Sequence, residues 1–175
     1  MANVVIVVDM QKGFMEPGGT LFCGEEARRI IAPVRARVER EKAAGARLYF
    51  TQDTHEPDDA EFKMFPPHCV AGSGEEEIID ELADLASEAR RVVKRRYSAF
   101  FETDLAEQLE QLRPERVVVM GDCTDICVLH TVAGLRNRDY EVEVPADCVA
   151  SFDPRQHEWA LDHMEKILGA RVTNR

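Results

Sequence analysis

The sequence predicts an α/β domain built on a mostly parallel sheet, and three observations lead there. Short runs rich in Val and Ile recur at 4–8, 48–50, 92–93, 117–120 and 140–144. Two of these, VVIVV and VVVM, are continuous rather than alternating, as strands buried on both faces require. Between the runs lie segments with helical spacing, and strands that alternate with helices pack as parallel β-α-β units.

Taken in order, the run at 4–8 is a strand that stops at Asp9. Val34 and Val38, four apart, predict a helix in which Pro33 is tolerable only near the first turn. LYF at 48–50 is the second strand and runs on through TQ to Asp53. Residues 54–73 form the longest stretch without periodicity, with three Pro, two His and several acids. Loops of that length in compact domains tend to be functional or disordered, and the aromatic and Pro-Pro content speaks against disorder. The acidic runs Glu75 to Glu77 and Asp80-Glu81 read as a solvated helix start, where negative charge complements the dipole. After the strand at 92–93, Leu105, Leu109 and Leu112 make an i, i+4, i+7 stripe starting just past Thr103. VVVM at 117–120 leads into a strand-to-helix turn from Gly121 to Asp125, with apolar helix from Val128 onward. YEVEV at 140–144 is the last predicted strand. A final helix starts near Pro154, behind Asp153, runs through Trp159, Met164 and Leu168, and stops at Gly169.

The length of 175 residues predicts one domain over 1–175, which buries roughly 70% of its unfolded surface without staples. Thirty-three acidic residues against 22 basic give a net charge of −11. Affinity for phosphate backbones comes mainly from Lys and Arg, so nucleic acid is a poor partner and a small molecule the better one. No run approaches the 18 apolar residues of a membrane span, and the N-terminus has no basic segment ahead of an apolar one. A cytoplasmic protein is expected, with its five scattered cysteines reduced.

Ligands of open parallel sheets bind outside the carboxyl ends of the strands. The polar residues ending the apolar runs are Asp9, Asp53, Lys94 and Gly121-Asp122-Cys123. Any one could merely end a strand; four at one sheet edge, with a thiol beside them, mark a site. The thiol is Cys127. Near a helix N-terminus its thiolate is stabilised by unpaired N–H groups, and a nearby Lys lowers its pKa further; the alternative is a buried small hydrophobe. Cys123 and Cys127 are spaced i, i+4 with no second pair, which disfavours zinc on thiolates. Asp53, His55, Glu61 and His68 form a third group: one D-x-H pair, then an acid and an imidazole in the long loop. One carboxylate and two imidazoles suit a divalent transition metal such as Zn, Fe or Mn; surface histidines are the alternative. His130, His157 and His163 fall on predicted helices as solvated or packing residues, and Cys23, Cys69 and Cys148 as packing thiols.

At these residues the chain resembles the isochorismatase-like cysteine hydrolase superfamily, and within it the nicotinamidase branch. The resemblance runs in order through VVDMQKGFMEPGGTL at 7–21, TQDTHEPDD at 51–59, FPPHCVAGSGEEE at 65–77, VVKRRYSAF at 92–100 and GDCTDICVLHTV at 121–132. It implies a three-layer α/β/α fold on a Rossmann-like sheet of about six strands and a triad of Asp9, Lys94 and Cys127. It also implies one divalent metal on Asp53, His55 and His68, with Glu61 at an acidic position that joins the metal shell in some members. No organic cofactor is implied. The Asp122-Cys123 peptide is expected cis, turning the Cys123 N–H towards that of Cys127 as an oxyanion hole. The implied reaction is nicotinamide to nicotinate and ammonia, with the ring against Phe14 and Phe65; the alternative is another small amide or carbamoyl compound. Relatives self-associate, so a homo-oligomer is expected. The chain departs from the pattern at Phe65, where many nicotinamidases carry Trp, and at Ile126, where they carry Tyr or His. It departs again at Asp122, where an apolar residue is common, so that Asp122 either faces solvent or sits in a different turn.

Overall fold

The computed structural model describes residues 3–175. In chain order the elements are β1 Val4–Val8, α1 Lys12–Met15, α2 Glu25–Arg28, α3 Ile31–Ala43, β2 Arg47–Asp53, α4 Ala83–Ser87, β3 Arg90–Lys94 and α5 Leu105–Leu112. There follow β4 Val117–Asp122, one π-helical turn Thr124–Val128, α6 Leu129–Arg136, β5 Val142–Pro145, β6 Val149–Ala150, α7 Pro154–Lys166 and β7 Arg171–Thr173.

The strands form one sheet in the order β3-β2-β1-β4-β5-β7, with the two-residue β6 pairing the end of β4. Every strand pairing is parallel. This gives seven strands rather than about six. β6 is too short to show as a pattern, and β7 has one exposed and two partly buried residues with a single Val among them, so neither announces itself as an apolar run.

Period-two alternation sorts the two cores. Val5 and Val7 of β1 pack with Val34 and Val38 of α3 and with Leu82 and Leu85, while Val4, Ile6 and Val8 face Leu105, Leu109, Val132 and Leu161 on the other side. Helices therefore cover both faces, as the continuous VVIVV run requires. The centre of the sheet, where β1 and β4 are neighbours, brings their carboxyl ends together at Asp9 and Asp122. Gly121 allows that approach. Its φ is +117°, and a Cβ there would stand 2.1 Å from the Val8 carbonyl oxygen.

Three expectations need correction. Glu75 and Glu76 do not start a helix but tie down the loop: Glu75 accepts from the Thr20 and Cys69 N–H groups, and Glu76 from those of Gly72 and Gly74. The short helical segment begins only at the 3-10 turn Asp80–Leu82. The strand β4 runs on through Asp122, so the turn to helix is confined to the residues after it. In α7, Trp159 is 52% exposed and the buried face is Ala160, Leu161 and Met164. Five residues separate Trp159 from Met164, which is about 140° around a helix and cannot belong to one face. The start of α7 does match the expectation, with Pro154 at its first position and the Asp153 side chain accepting the Arg155 N–H at 2.8 Å, but the helix ends at Lys166 and leaves Leu168 outside it.

No described helix is long and apolar enough to cross a membrane.

Candidate active site

The carboxyl ends of β1, β2, β3 and β4 deliver Asp9, Asp53, Lys94 and Asp122 to one edge of the sheet, all of them buried. Asp9 sits in a left-handed conformation, φ +49°, just past β1. It is fixed from β2: its N–H donates to Thr51 Oγ1 at 3.1 Å, and the Thr51 hydroxyl donates to Asp9 Oδ1. Lys94 Nζ lies 2.7 Å from Asp9 Oδ2, 3.5 Å from Asp53 Oδ1 and 3.6 Å from Cys127 Sγ, and donates to the Arg96 carbonyl at 2.9 Å. Its side chain has no exposed surface, so one ammonium holds two carboxylates and a thiol together out of water.

Burial alone would strip Lys94 of its charge, but Asp9, Cys127 and Asp53 outweigh it and hold the ammonium protonated. Burial also pushes the Asp9 carboxyl above its ordinary value, with Lys94 opposing and Asp53 reinforcing. The Cys127 thiol behaves otherwise than expected. Burial raises it well above the ordinary range, Lys94 pulls the other way, and Asp9 and Asp53 side with burial. Cys127 stands in the π-helical turn Thr124–Val128, and the Asp122-Cys123 peptide ahead of it is cis, as expected.

Next to this trio lies a second cluster. Asp53, His55, Glu61 and His68, all buried, offer one ligand atom each, and those atoms lie within 4.8 Å of one another. Asp53 Oδ2 is 2.9 Å from His55 Nε2 and 3.4 Å from His68 Nε2, while Glu61 Oε1 is 3.9 Å and 3.7 Å from the same two nitrogens. Glu61 Oε2 is buried with no hydrogen-bond partner. Burial and Asp53 raise the Glu61 carboxyl. Two imidazoles and two carboxylates converging with a carboxylate oxygen to spare fit a divalent transition ion. The loop folds this way because His55 and Val70 form an isolated parallel bridge, and Asp59 accepts the Glu61 N–H to start a 3-10 turn, Ala60–Lys63.

One pocket joins the two clusters. Asp9 and Cys127 line it on one side and Asp53, Glu61 and His68 on another, with Phe14 and Phe65 against the His68 ring at 5.8 Å and 6.1 Å between centroids. All ten singled-out residues thus converge, Lys94 and His55 from just behind the pocket wall. Asp122 does not face solvent: it is 1% exposed and lines the same pocket.

Several contributors went unread in the sequence. Tyr97 and Phe152 also line the pocket, beside the Ile126 already singled out. Gln11 clamps Asp53, donating to its carbonyl at 2.8 Å and accepting its N–H at 2.7 Å. Asp59 Oδ2 lies 3.1 Å from His55 Nδ1 and orients that ring, and Arg96 in turn holds Asp59 at 2.8 Å. The D-D pair of HEPDD was the available signal for Asp59; nothing local distinguishes Gln11. His130, His157 and His163 stay outside, His157 paired with Thr124 Oγ1 at 2.8 Å and His163 stacked on Trp159.

Fold and pocket together define an α/β enzyme whose strand ends set a thiol, an ammonium and a carboxylate against one small-molecule pocket. The isochorismatase domain matches residues 3–175. The nicotinamidase/pyrazinamidase PncA of Bacillus subtilis superposes with a TM-score of 0.93 at 35% identity, over 99% of this chain and 100% of that one. A pyrazinamidase of Pyrococcus horikoshii, solved in complex with zinc, gives 0.90 at 31% identity and covers both chains fully, at 100% each. The N-carbamoylsarcosine amidase of Thermoplasma acidophilum gives 0.87 at 32%, over 99% and 96%. The chain belongs to the isochorismatase family, on its nicotinamidase branch, and is a hydrolase of amide bonds.

Proposed function

We propose that the protein hydrolyses nicotinamide to nicotinate and ammonia through a thioester on Cys127, acting in the cytoplasm on the salvage of NAD. The observation that carries this reading is the contact of Asp9, Lys94 and Cys127 beside the Asp53, His55, Glu61 and His68 cluster, with one pocket reaching both groups. The N–H groups of Cys123 and Cys127 serve as the oxyanion donors.

Asp9 takes the Cys127 proton as the sulfur attacks the carboxamide carbon. A thiol with a raised pKa needs such a base, and Lys94 beside both groups offsets the charge that moves between them. The oxyanion that develops meets the two backbone donors. Asp9 then gives the proton to the departing nitrogen, ammonia leaves, and a thioester remains. The same carboxylate takes a proton from water as that water attacks the thioester, nicotinate departs, and the proton returns to Cys127. Phe14 and Phe65 hold the ring and exclude water.

A divalent metal ion, zinc, iron or manganese, would be held by Asp53, His55 and His68 with Glu61. Bound there, it would supply Lewis-acid chemistry to an electron-rich group of the substrate. That a pyrazinamidase of Pyrococcus horikoshii was solved in complex with zinc supports a metal ion for this chain.

The test is ammonia release from nicotinamide by purified protein, with and without chelator, beside Cys127→Ala. The expected result is metal-dependent release that the variant abolishes. Substantial activity in Cys127→Ala overturns the mechanism. The likeness to an N-carbamoylsarcosine amidase supports a second reading, an amidase for a carbamoyl compound. Release from that class and none from nicotinamide would select it.

A further inference from the structure

We propose that Cys23, Asp122 and Cys123 form a second cation site in the pocket wall, one that takes a soft divalent ion such as zinc or cadmium on two thiolates and a carboxylate. The three side chains come from separate parts of the chain, Cys23 from the loop after α1 and the other two from the end of β4, yet their ligand atoms lie within 4.8 Å of one another. Cys23 Sγ is 3.5 Å from Cys123 Sγ. Two thiolates on one tetrahedral ion at about 2.3 Å stand roughly 3.8 Å apart, so an ion fits with sulfur movements of a few tenths of an ångström.

An independent observation points to a ligand. Both carboxylate oxygens of Asp122 are buried without a hydrogen-bond partner, in a residue 1% exposed. Buried carboxylates are ordinarily paired, hydrogen-bonded or bound to metal, and an orphaned one calls for such a partner. The orphan faces the thiol pair. The site is also held in place by backbone on each side: the Cys23 N–H donates to the Phe14 carbonyl at 2.8 Å, and Asp122 pairs with Ala150 in the sheet. Asp122 and Cys123 line the pocket, which gives an ion its way in.

The donor set separates this site from the first. Asp53, His55, Glu61 and His68 offer only nitrogen and oxygen, whereas thiolates select soft ions. Binding displaces the two thiol protons to solvent and leaves the sulfurs reduced. An ion here would stand beside Cys123 and Cys127, at the mouth of the chemistry proposed above. The cysteine partner of Cys123 is then Cys23, a hundred residues away in sequence, and not Cys127 in the next turn.

Cobalt(II) distinguishes the two sites without any substrate, so the outcome is independent of the amidase reading. Chelator-treated full-length protein, kept reduced by a phosphine, is titrated with cobalt(II) while the near-ultraviolet spectrum is recorded. Only sulfur ligation gives a thiolate-to-cobalt charge-transfer band. Wild-type protein should develop that band, Cys23→Ser should lose it, and Asp122→Asn should shift its titration to higher cobalt. Cys148→Ser, a buried thiol outside both clusters, should keep the band. Should Cys23→Ser fail to fold, Asp122→Asn carries the test alone. A wild type without the band at saturating cobalt overturns the proposal, as does a band unchanged in Cys23→Ser or in Asp122→Asn.

Discussion

Lys94 is the residue on which the pocket's charge balance turns. It stands between Asp9, Asp53 and Cys127 with no exposed surface, so replacing it by an apolar group of similar length leaves two carboxylates facing each other in a dry site. Breaking a buried pair from one side costs roughly 3–5 kcal/mol. Lys94→Met should therefore lose both turnover and stability by about that amount in urea melts. Cys127→Ala should lose turnover at nearly unchanged stability, since it removes a single buried sulfur. Equal stability for Lys94→Met and wild type would show that the ammonium is not the clamp described. At this scale the sequence was informative about identity and silent about environment. Asp9, Asp53 and Lys94 are legible because each ends an apolar run, and a parallel sheet puts such ends on one edge. The raised Cys127 thiol is not legible, because burial, the largest cause, depends on the tertiary packing around the turn. Gln11 acts across the fold on Asp53, at a separation no local spacing encodes, whereas Asp59 reaches His55 from four residues on and had a local signal.

Helix α7 shows where element-scale reading succeeds and fails. Its start is legible, since Asp153 and Pro154 are local signals whose mechanism needs no tertiary partner. Its buried face is not, because a large apolar residue dominates a stripe by size while angle decides burial. Leu161 is fully buried and Trp159 is 52% exposed. Leu161→Ala should cost roughly 2–5 kcal/mol, as buried Leu truncations do, and Trp159→Ala no more than about 1 kcal/mol despite removing more atoms. The reverse order in denaturant titrations would mean that Trp159, not Leu161, anchors the helix. Asp153→Ala should cost about 1 kcal/mol through the lost cap. Strand β7 escaped for a related reason: Arg171–Thr173 is held by pairing with β5 and by charge, not by an apolar run.

That charge belongs to a network spanning the molecule at the end of the sheet opposite the pocket. Glu143 of β5 is 3% exposed and pairs with Arg37 of α3 at 2.6 Å, with Arg116 ahead of β4 and with Arg171 of β7. Glu41 of α3 joins through Arg37 at 2.9 Å and Arg116 at 3.1 Å. One carboxylate thus ties a covering helix to three points along the sheet, which explains a Glu in the middle of the YEVEV run. Desolvation pushes its pKa up, but the three guanidinium groups prevail and hold it at about 2 against an ordinary 4.5. A folded-state pKa below the unfolded one means that the unfolded chain binds the proton first. The stabilisation is complete above about pH 4.5 and is lost as pH falls towards about 2. Its size is roughly 3 kcal/mol at most. Glu143→Gln should therefore be markedly less stable than wild type at neutral pH, with Arg37 left buried beside a neutral amide. The gap should close as the solution is acidified through that window, because wild-type protein then loses the same charge. Urea titrations of both proteins at a series of pH values measure the gap directly. Parallel curves across the window would mean that Glu143 does not carry the acid sensitivity of the fold.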